Sequence, residues 1–432
     1  MELKTGLQED SIHFQEQIES KKSLFRLFSQ EMIDSSLDHL DRNGIAPGDR
    51  LARFDIQAHN AEVREMWAAF NARKPYRAPV FFGANTRYFM FNAGANPAGV
   101  QFKEYFEDPD LMFDSQLRFQ RWKQFNLLQD YELGLPEKWS VGIDFQNFYE
   151  AAFLGCPLEY FNGEVPDTLP IYRDEPEKVM EQGIRDPFSG INERALRYFE
   201  HFKQRAANET FLGRPIEVSP ISIWSDGVFT GACNLFGPDT VCLMMIEEPD
   251  RLHTLMKFIT ATVIRCKKAW QKLHTKTLQE QGGFWYADDS VALISTEMYR
   301  EFVLPYHREY CDAMAGELPR GIHLCGDSTR HFTTIRDELN VRQFDTGFPI
   351  DFGKMRSELG PEVILQGGPH VEMVLSSTPD CIRAEVKRIM ETGVLDGGMF
   401  MLREGNNLAP GTPLENSEAM YHAGREFGAL LL

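Results

Sequence analysis

No run of apolar residues in this chain approaches the ~20 that a helix needs to cross a bilayer. Its first residues, MELKTGLQED, lack a basic stretch followed by an apolar core. The expectation is a cytoplasmic protein with no secretory signal and no membrane contact. Positive charge is also short: 45 Lys and Arg stand against 64 Asp and Glu, a formal net charge of −19. Nucleic acids and anionic lipids both require clustered Lys and Arg, so neither is expected as a partner. Cysteine is sparse, with seven in 432 residues. Cys156, Cys233, Cys242, Cys266, Cys311 and Cys381 have no partner at short metal-ligand spacing, which excludes a disulfide framework and leaves small buried hydrophobes in a reducing compartment. G-x-G-x-x-G and G-x-x-x-x-G-K-[ST] are both missing, which weakens dinucleotide and P-loop readings. There is no internal repeat and no low-complexity linker.

What is present is enough apolar material for a large core: 43% hydrophobic against 25% charged. Apolar residues at helical spacing predict helices over 11–42 and 57–73, so residues 1–75 read as an N-terminal helical extension. Beyond them, short apolar strands alternate with helical stretches. The strands are expected at 78–84, 141–145, 216–224, 283–288, 321–326, 342–346, 363–368 and 397–403. Helices are expected at 249–280, 297–316, 328–339, 351–359, 379–392 and 414–429. Strand–helix alternation implies a parallel sheet. Eight such units predict an α/β fold of the (β/α)8 TIM-barrel kind over 76–432, rather than an open doubly wound sheet. Segments 86–140 and 150–212 are long insertions after the first two strands, where loops build the mouth of a barrel's active site. The aromatic load, partly gathered at 80–150, hints at a flat or apolar ligand, while most of those rings are expected in the core.

The sharpest local signal is Gly321-Ile-His-Leu-Cys-Gly326. Alternate side chains on a strand share a face. His323 and Cys325 therefore point together into the barrel, while Ile322 and Leu324 face the helices. Imidazole and thiolate side by side suit Zn²⁺, or the His activates the Cys as a nucleophile. Carboxylates at neighbouring strand ends, Asp288, Asp289 and Asp345, are candidate catalytic groups. Tyr286 is expected in the same pocket. His370, after the seventh strand, and Asn406, in the turn Arg403-Glu-Gly-Asn-Asn407, are candidate substrate contacts; Gly405 in that turn suggests a positive φ. Arg87, after the first strand, is placed to pair with a carboxylate or phosphate of a substrate.

The stretches ADDSVALISTEMYREFVLPY (287–306), IHLCGD (322–327), LQGGPHVEMVLSSTPDCIRAEV (365–386) and GGMFMLREGNNLAPGTPLENSEAM (397–420) occur in the order seen in the uroporphyrinogen-decarboxylase superfamily. The resemblance covers about 215–430 well and 76–150 more weakly. True uroporphyrinogen decarboxylases are metal-free and carry an arginine-rich segment after the first strand; here that segment reads GANTRYF, with Arg87 alone. The cobalamin-linked methyltransferases of the superfamily resemble this chain more closely in H-x-C-G. The resemblance implies zinc at His323 and Cys325. The usual third ligand, a cysteine after the eighth strand, is replaced here by Asn406, a poor zinc ligand. Glu404 is the chosen substitute, with Asp288, Asp289 and His370 as others.

The resulting expectation is a zinc-assisted methyltransferase acting on a small methylated substrate. The chain has no D-x-H-x-x-G motif, so the corrinoid is expected on a separate partner protein. A homodimer is implied by the resemblance. Two rival readings stand beside it: a metal-independent decarboxylase or lyase of a uroporphyrinogen-like or aryl carboxylate, and a non-catalytic binding subunit.

Overall fold

The computed structural model describes residues 44–161, 165–224 and 226–430. The chain divides into two units, Met1–Phe54 and Asp55–Leu432. In the first, residues 44–54 form turns in which Asp49 Oδ2 accepts the Ala46 amide at 2.6 Å. The helix expected over 11–42 lies outside the described residues. The second unit opens with the helix Ile56–Asn71. Asp55 caps it by accepting the Ala58 amide at 3.0 Å, and Val63, Met66 and Phe70 bury one face.

Among the described residues nine strands follow: β1 Trp139–Gly142, β2 Leu158–Glu159, β3 Asp167–Thr168, β4 Ile216–Ser219, β5 Phe284–Ala287, β6 Arg320–Leu324, β7 Val341–Thr346, β8 Ile364–Gly367 and β9 Phe400–Leu402. β5 to β9 form one parallel sheet in chain order, and β1 pairs with β4 in parallel. β2 and β3 are a small antiparallel ribbon outside this series. Parallel strands separated by helices in this order make a (β/α)8 barrel.

The expected first strand contributes only a parallel bridge from Val80 to Leu402. Its other edge is satisfied by Asp130 instead of a strand. Val80 donates to Asp130 Oδ2 at 2.7 Å, and its carbonyl accepts the Asp130 amide at 2.7 Å. Pro79, next to it, has no amide to give a ladder.

Several helices were not expected from the sequence, the longest of them Pro109–Asn126, Ile191–Asn208, Gly227–Phe236 and Pro238–Glu247. The helix expected over 297–316 is two, Thr296–Phe302 and Leu304–Ala315, because Pro305 lies at the start of the second and cannot donate to the first. Among the described residues no single helix is long and apolar enough to cross a membrane.

The insertion after the first segment is built on its aromatic rings. Its helix Pro109–Asn126 and its neighbours pack their rings on one another. Phe106 stands edge-on to Phe148 at 5.0 Å between centroids, and Phe113 to Phe202 at 5.0 Å. These rings are core, each buried.

Candidate active site

The register of the five-stranded sheet sets the site. Ala287 of β5 lies beside His323 of β6, His323 beside Asp345 of β7, and Asp345 beside Gln366 of β8. Within β6, Ile322 and Leu324 are buried toward the helices and His323 faces the interior, as strand alternation requires.

His323 Nδ1 lies 2.7 Å from Asp345 Oδ2, and His323 Nε2 lies 3.0 Å from Cys325 Sγ. Asp345 Oδ2 also accepts Arg403 Nη1 at 2.9 Å. Asp289 Oδ1 accepts the Cys325 amide at 2.7 Å and stands 3.9 Å from His323 Nε2. The ligand atoms of Asp289, His323 and Cys325 all lie within 4.8 Å of one another, the one such group of three among the described residues. Burial disfavours an imidazolium, yet the hydrogen bonds from Asp345 and Cys325 outweigh it and push His323 up to about 11. Burial pushes the Cys325 thiol up, with His323 pulling the other way. The space around Nε2 thus favours positive charge.

Beside this group opens a cavity of ≈ 400 Å³. It is lined by Asp289, His323 and Trp285 together with Asn85, Arg87, Gln146, Asn147, Asp226, Asn406 and Asn407. The lining is dominated by amides and charges, which fits a small polar ligand rather than a flat apolar one. Arg87 gives its Nε to Gln146 Oε1 at 3.1 Å, which leaves both Nη groups of a cavity-lining guanidinium for a ligand. Asn406 lies on the wall, and its carbonyl accepts Arg403 Nη2.

Four sequence candidates are placed differently: Asp288, His370 and Glu404 lie outside the cavity, and Tyr286 lies at its border. Asp288 is fully buried beneath the neighbouring helix. It accepts the Phe229 amide at 2.9 Å, the Thr230 amide at 2.7 Å, Thr230 Oγ1 at 2.7 Å and His307 Nε2 at 2.7 Å. It anchors the first turn of Gly227–Phe236. Gly227 permits this approach: its φ is +78°, and a Cβ there would sit 2.6 Å from Asp288 Oδ2. Asp288 and Asp289 therefore point to opposite sides of the wall. Tyr286 borders the cavity, but its ring packs among Phe284, His307 and Tyr310 in the helical layer. His370 is exposed at the start of Val371–Ser376, where its Nδ1 accepts the Glu372 amide at 3.1 Å.

Glu404 is the fourth. It is buried, and its Oε1 accepts the Gly83 amide at 2.7 Å. It is not among the three clustered ligand groups, so Asp289, not Glu404, completes the set. Burial raises the Glu404 carboxyl to about 7 against the pull of Arg403. Gly405 also differs from expectation. Its φ is not positive, and its need for glycine is steric, since a Cβ would overlap the Phe348 ring.

Two functional side chains escaped the sequence reading. Arg403 holds Asp345 and sits after β9 beside the residues that were noticed. Lys267 lines the cavity from the helix Pro249–Gln271. Its signal was a charge inside the buried stripe of that helix, with Val263 and Trp270 one turn to either side.

The family model for uroporphyrinogen decarboxylase (URO-D) matches residues 63–427. A methylated-thiol–coenzyme M methyltransferase of Methanosarcina mazei is 26% identical over 288 residues, 64% of this chain and 70% of that protein. A uroporphyrinogen decarboxylase of Pelodictyon phaeoclathratiforme is 29% identical over 151 residues, 34% of this chain and 41% of that protein. Of these two, the methyltransferase match is the more extensive. A solved methyltransferase from Methanosarcina mazei shares the fold at a TM-score of 0.58 and 18% identity, covering 84% of this chain and 98% of its own. On the family model's span, the chain belongs to the uroporphyrinogen decarboxylase (URO-D) family.

Proposed function

We propose that this chain is a zinc-assisted methyltransferase that acts on a small methylated substrate, with a corrinoid carried by a separate partner protein. The observation that carries the reading is the Asp289–His323–Cys325 group at the wall of a polar cavity. One oxygen, one nitrogen and one sulfur within 4.8 Å of each other suit a borderline-soft ion. Asp345 accepts a hydrogen bond from His323 Nδ1–H, which orients the ring so that Nε2, on giving up its own proton, would offer its lone pair to the ion. Arg403 Nη1 donates to the same carboxylate oxygen at 2.9 Å and holds Asp345 in place for that task. Three protein ligands leave a fourth position for substrate, as catalytic zinc sites do.

Zinc held there would supply Lewis acidity toward a thiol or a methyl-bearing heteroatom. The other work falls to the protein. Arg87 with its free Nη groups pairs with an anionic part of the substrate. Asn85, Asn147 and Asn406 line the space between and orient it through amide hydrogen bonds. The methyltransferase relatives support the reaction class.

The test is transfer of methyl groups from methylated thiols and amines to added cobalamin, followed by release of the demethylated product. The expected result is turnover that a chelator removes and zinc restores. Chelator-resistant release of CO2 from an aryl or pyrrole carboxylate, with no methyl transfer, would overturn it.

A further inference from the structure

A second, smaller cavity of ≈ 150 Å³ lies between β4 and β5, the neighbouring barrel strands that share no ladder. Ser222, Lys267 and Trp285 line both cavities, so the two meet at one wall. A void of this size lined by aliphatic side chains stays dry. This one is different: Lys267, Gln271, His274 and Ser222 are on its surface, with Trp270 and Trp285. It has room for about five waters, or for one small charged group.

Its polar groups are mainly donors, and several are unspent. Lys267 Nζ donates one bond, to the Trp224 carbonyl at 3.0 Å. Trp224 is held at a φ of +55°, a conformation that is costly for a bulky residue, and its carbonyl also accepts from Tyr310 at 3.2 Å. The lysine is therefore fixed in place with two N–H groups left over. Gln271 Nε2, one turn along the same helix, is buried with no hydrogen-bond partner. No residue lining the small cavity is acidic. The carboxylates that influence Lys267 are not among its lining residues: Glu150 is pushed well up by burial and by repulsion from Asp226, and Asp226 lines the larger, adjoining cavity.

We propose that this cavity is an oxyanion subsite, in which Lys267 and Gln271 hold a carboxylate, sulfonate or phosphate group at the far end of the substrate whose reacting end lies by His323. Burial lowers the Lys267 ammonium to about 8, a cost that an anion in the cavity would offset. The inference rests on the adjoining cavity being the substrate cavity, but not on a metal. It gives the substrate an acidic group away from its reacting end, in addition to the anionic part that Arg87 would pair with.

The experiment is ¹⁹F NMR titration of the full chain with trifluoromethanesulfonate and trifluoroacetate, and with trifluoroethanol as the uncharged control. Saturable binding of both anions and none of trifluoroethanol is expected. Gln271→Leu and Lys267→Met should each weaken it by about tenfold or more, as expected for a lost hydrogen bond to a charged group. His323→Ala should leave it unchanged, which separates this test from that of the metal reading. Lys267→Met removes a buried charge and can impair folding, so Gln271→Leu, checked by its melting temperature, decides. The proposal is overturned by an absence of saturable binding to the wild-type chain. It is equally overturned if folded Gln271→Leu binds the anions as the wild type does, or if trifluoroethanol competes equally.

Discussion

A His323→Ala protein is expected to lose its zinc and to turn over at least ~10³-fold more slowly, about 4 kcal/mol of transition-state stabilisation. His323 is at the centre of the arrangement. It touches Cys325 on one ring nitrogen and Asp345 on the other, and Asp289 lies 3.9 Å from Nε2. Removing it leaves one thiol and one carboxylate, too few for a firm site. The fold should survive, since His323 faces a cavity and the buried side chains of β6 are Ile322 and Leu324. Asp345→Ala makes the graded comparison. It keeps every ligand but frees Nδ1, so its zinc affinity should fall by roughly 10–100-fold, the usual cost of losing such a support. Metal content and turnover of the two proteins, with circular dichroism as the folding check, give the ranking. Wild-type turnover in His323→Ala would remove this strand from the chemistry.

Asp288→Ala should act in the opposite way, destabilising the chain by roughly 3–5 kcal/mol while each folded molecule keeps its zinc. Asp288 satisfies two backbone amides, a hydroxyl and an imidazole, all from within the wall. His307 continues the network to Tyr299 through Nδ1, 3.0 Å from the phenol oxygen. Truncation leaves four buried polar groups without their acceptor, and the first turn of Gly227–Phe236 loses its anchor. Thermal unfolding monitored by fluorescence, alongside zinc per folded molecule, distinguishes the roles. A variant of unchanged stability that is inactive would assign Asp288 to the chemistry rather than the scaffold.

The contrast between Asp288 and Asp289 shows how far the sequence reaches. Their shared position after β5 was legible as a strand end. Which of the two enters the barrel depends on register: Ala287 pairs with His323, so Asp288 points outward and Asp289, turning into the next helix, points in. Strand alternation brings His323 of β6 and Cys325, just past its end, to within 3.0 Å, because residues two apart need no long-range information. Glu404 shows the converse. Only the fold brings the Gly83 amide to its Oε1, across 321 residues of chain, and leaves Glu404 outside the group of Asp289, His323 and Cys325. The aromatic residues of 86–126 were equally ambiguous, since ring content cannot distinguish a core from a ligand pocket. The barrel itself was readable from its repeating strand–helix pattern, although the first segment is reduced to a bridge by Asp130. Lys267 was out of reach by strand-end reasoning, because it approaches the cavity from a helix through the gap between β4 and β5.

The central claim is that Asp289, His323 and Cys325 together hold the metal. Zinc K-edge absorption spectroscopy of the purified wild-type chain measures it directly. One zinc per chain is expected, with one sulfur and the remaining ligands nitrogen or oxygen, the sulfur signal disappearing in Cys325→Ser. A chain that takes up no zinc, or zinc whose ligand shell is the same in wild type and Cys325→Ser, would contradict the account.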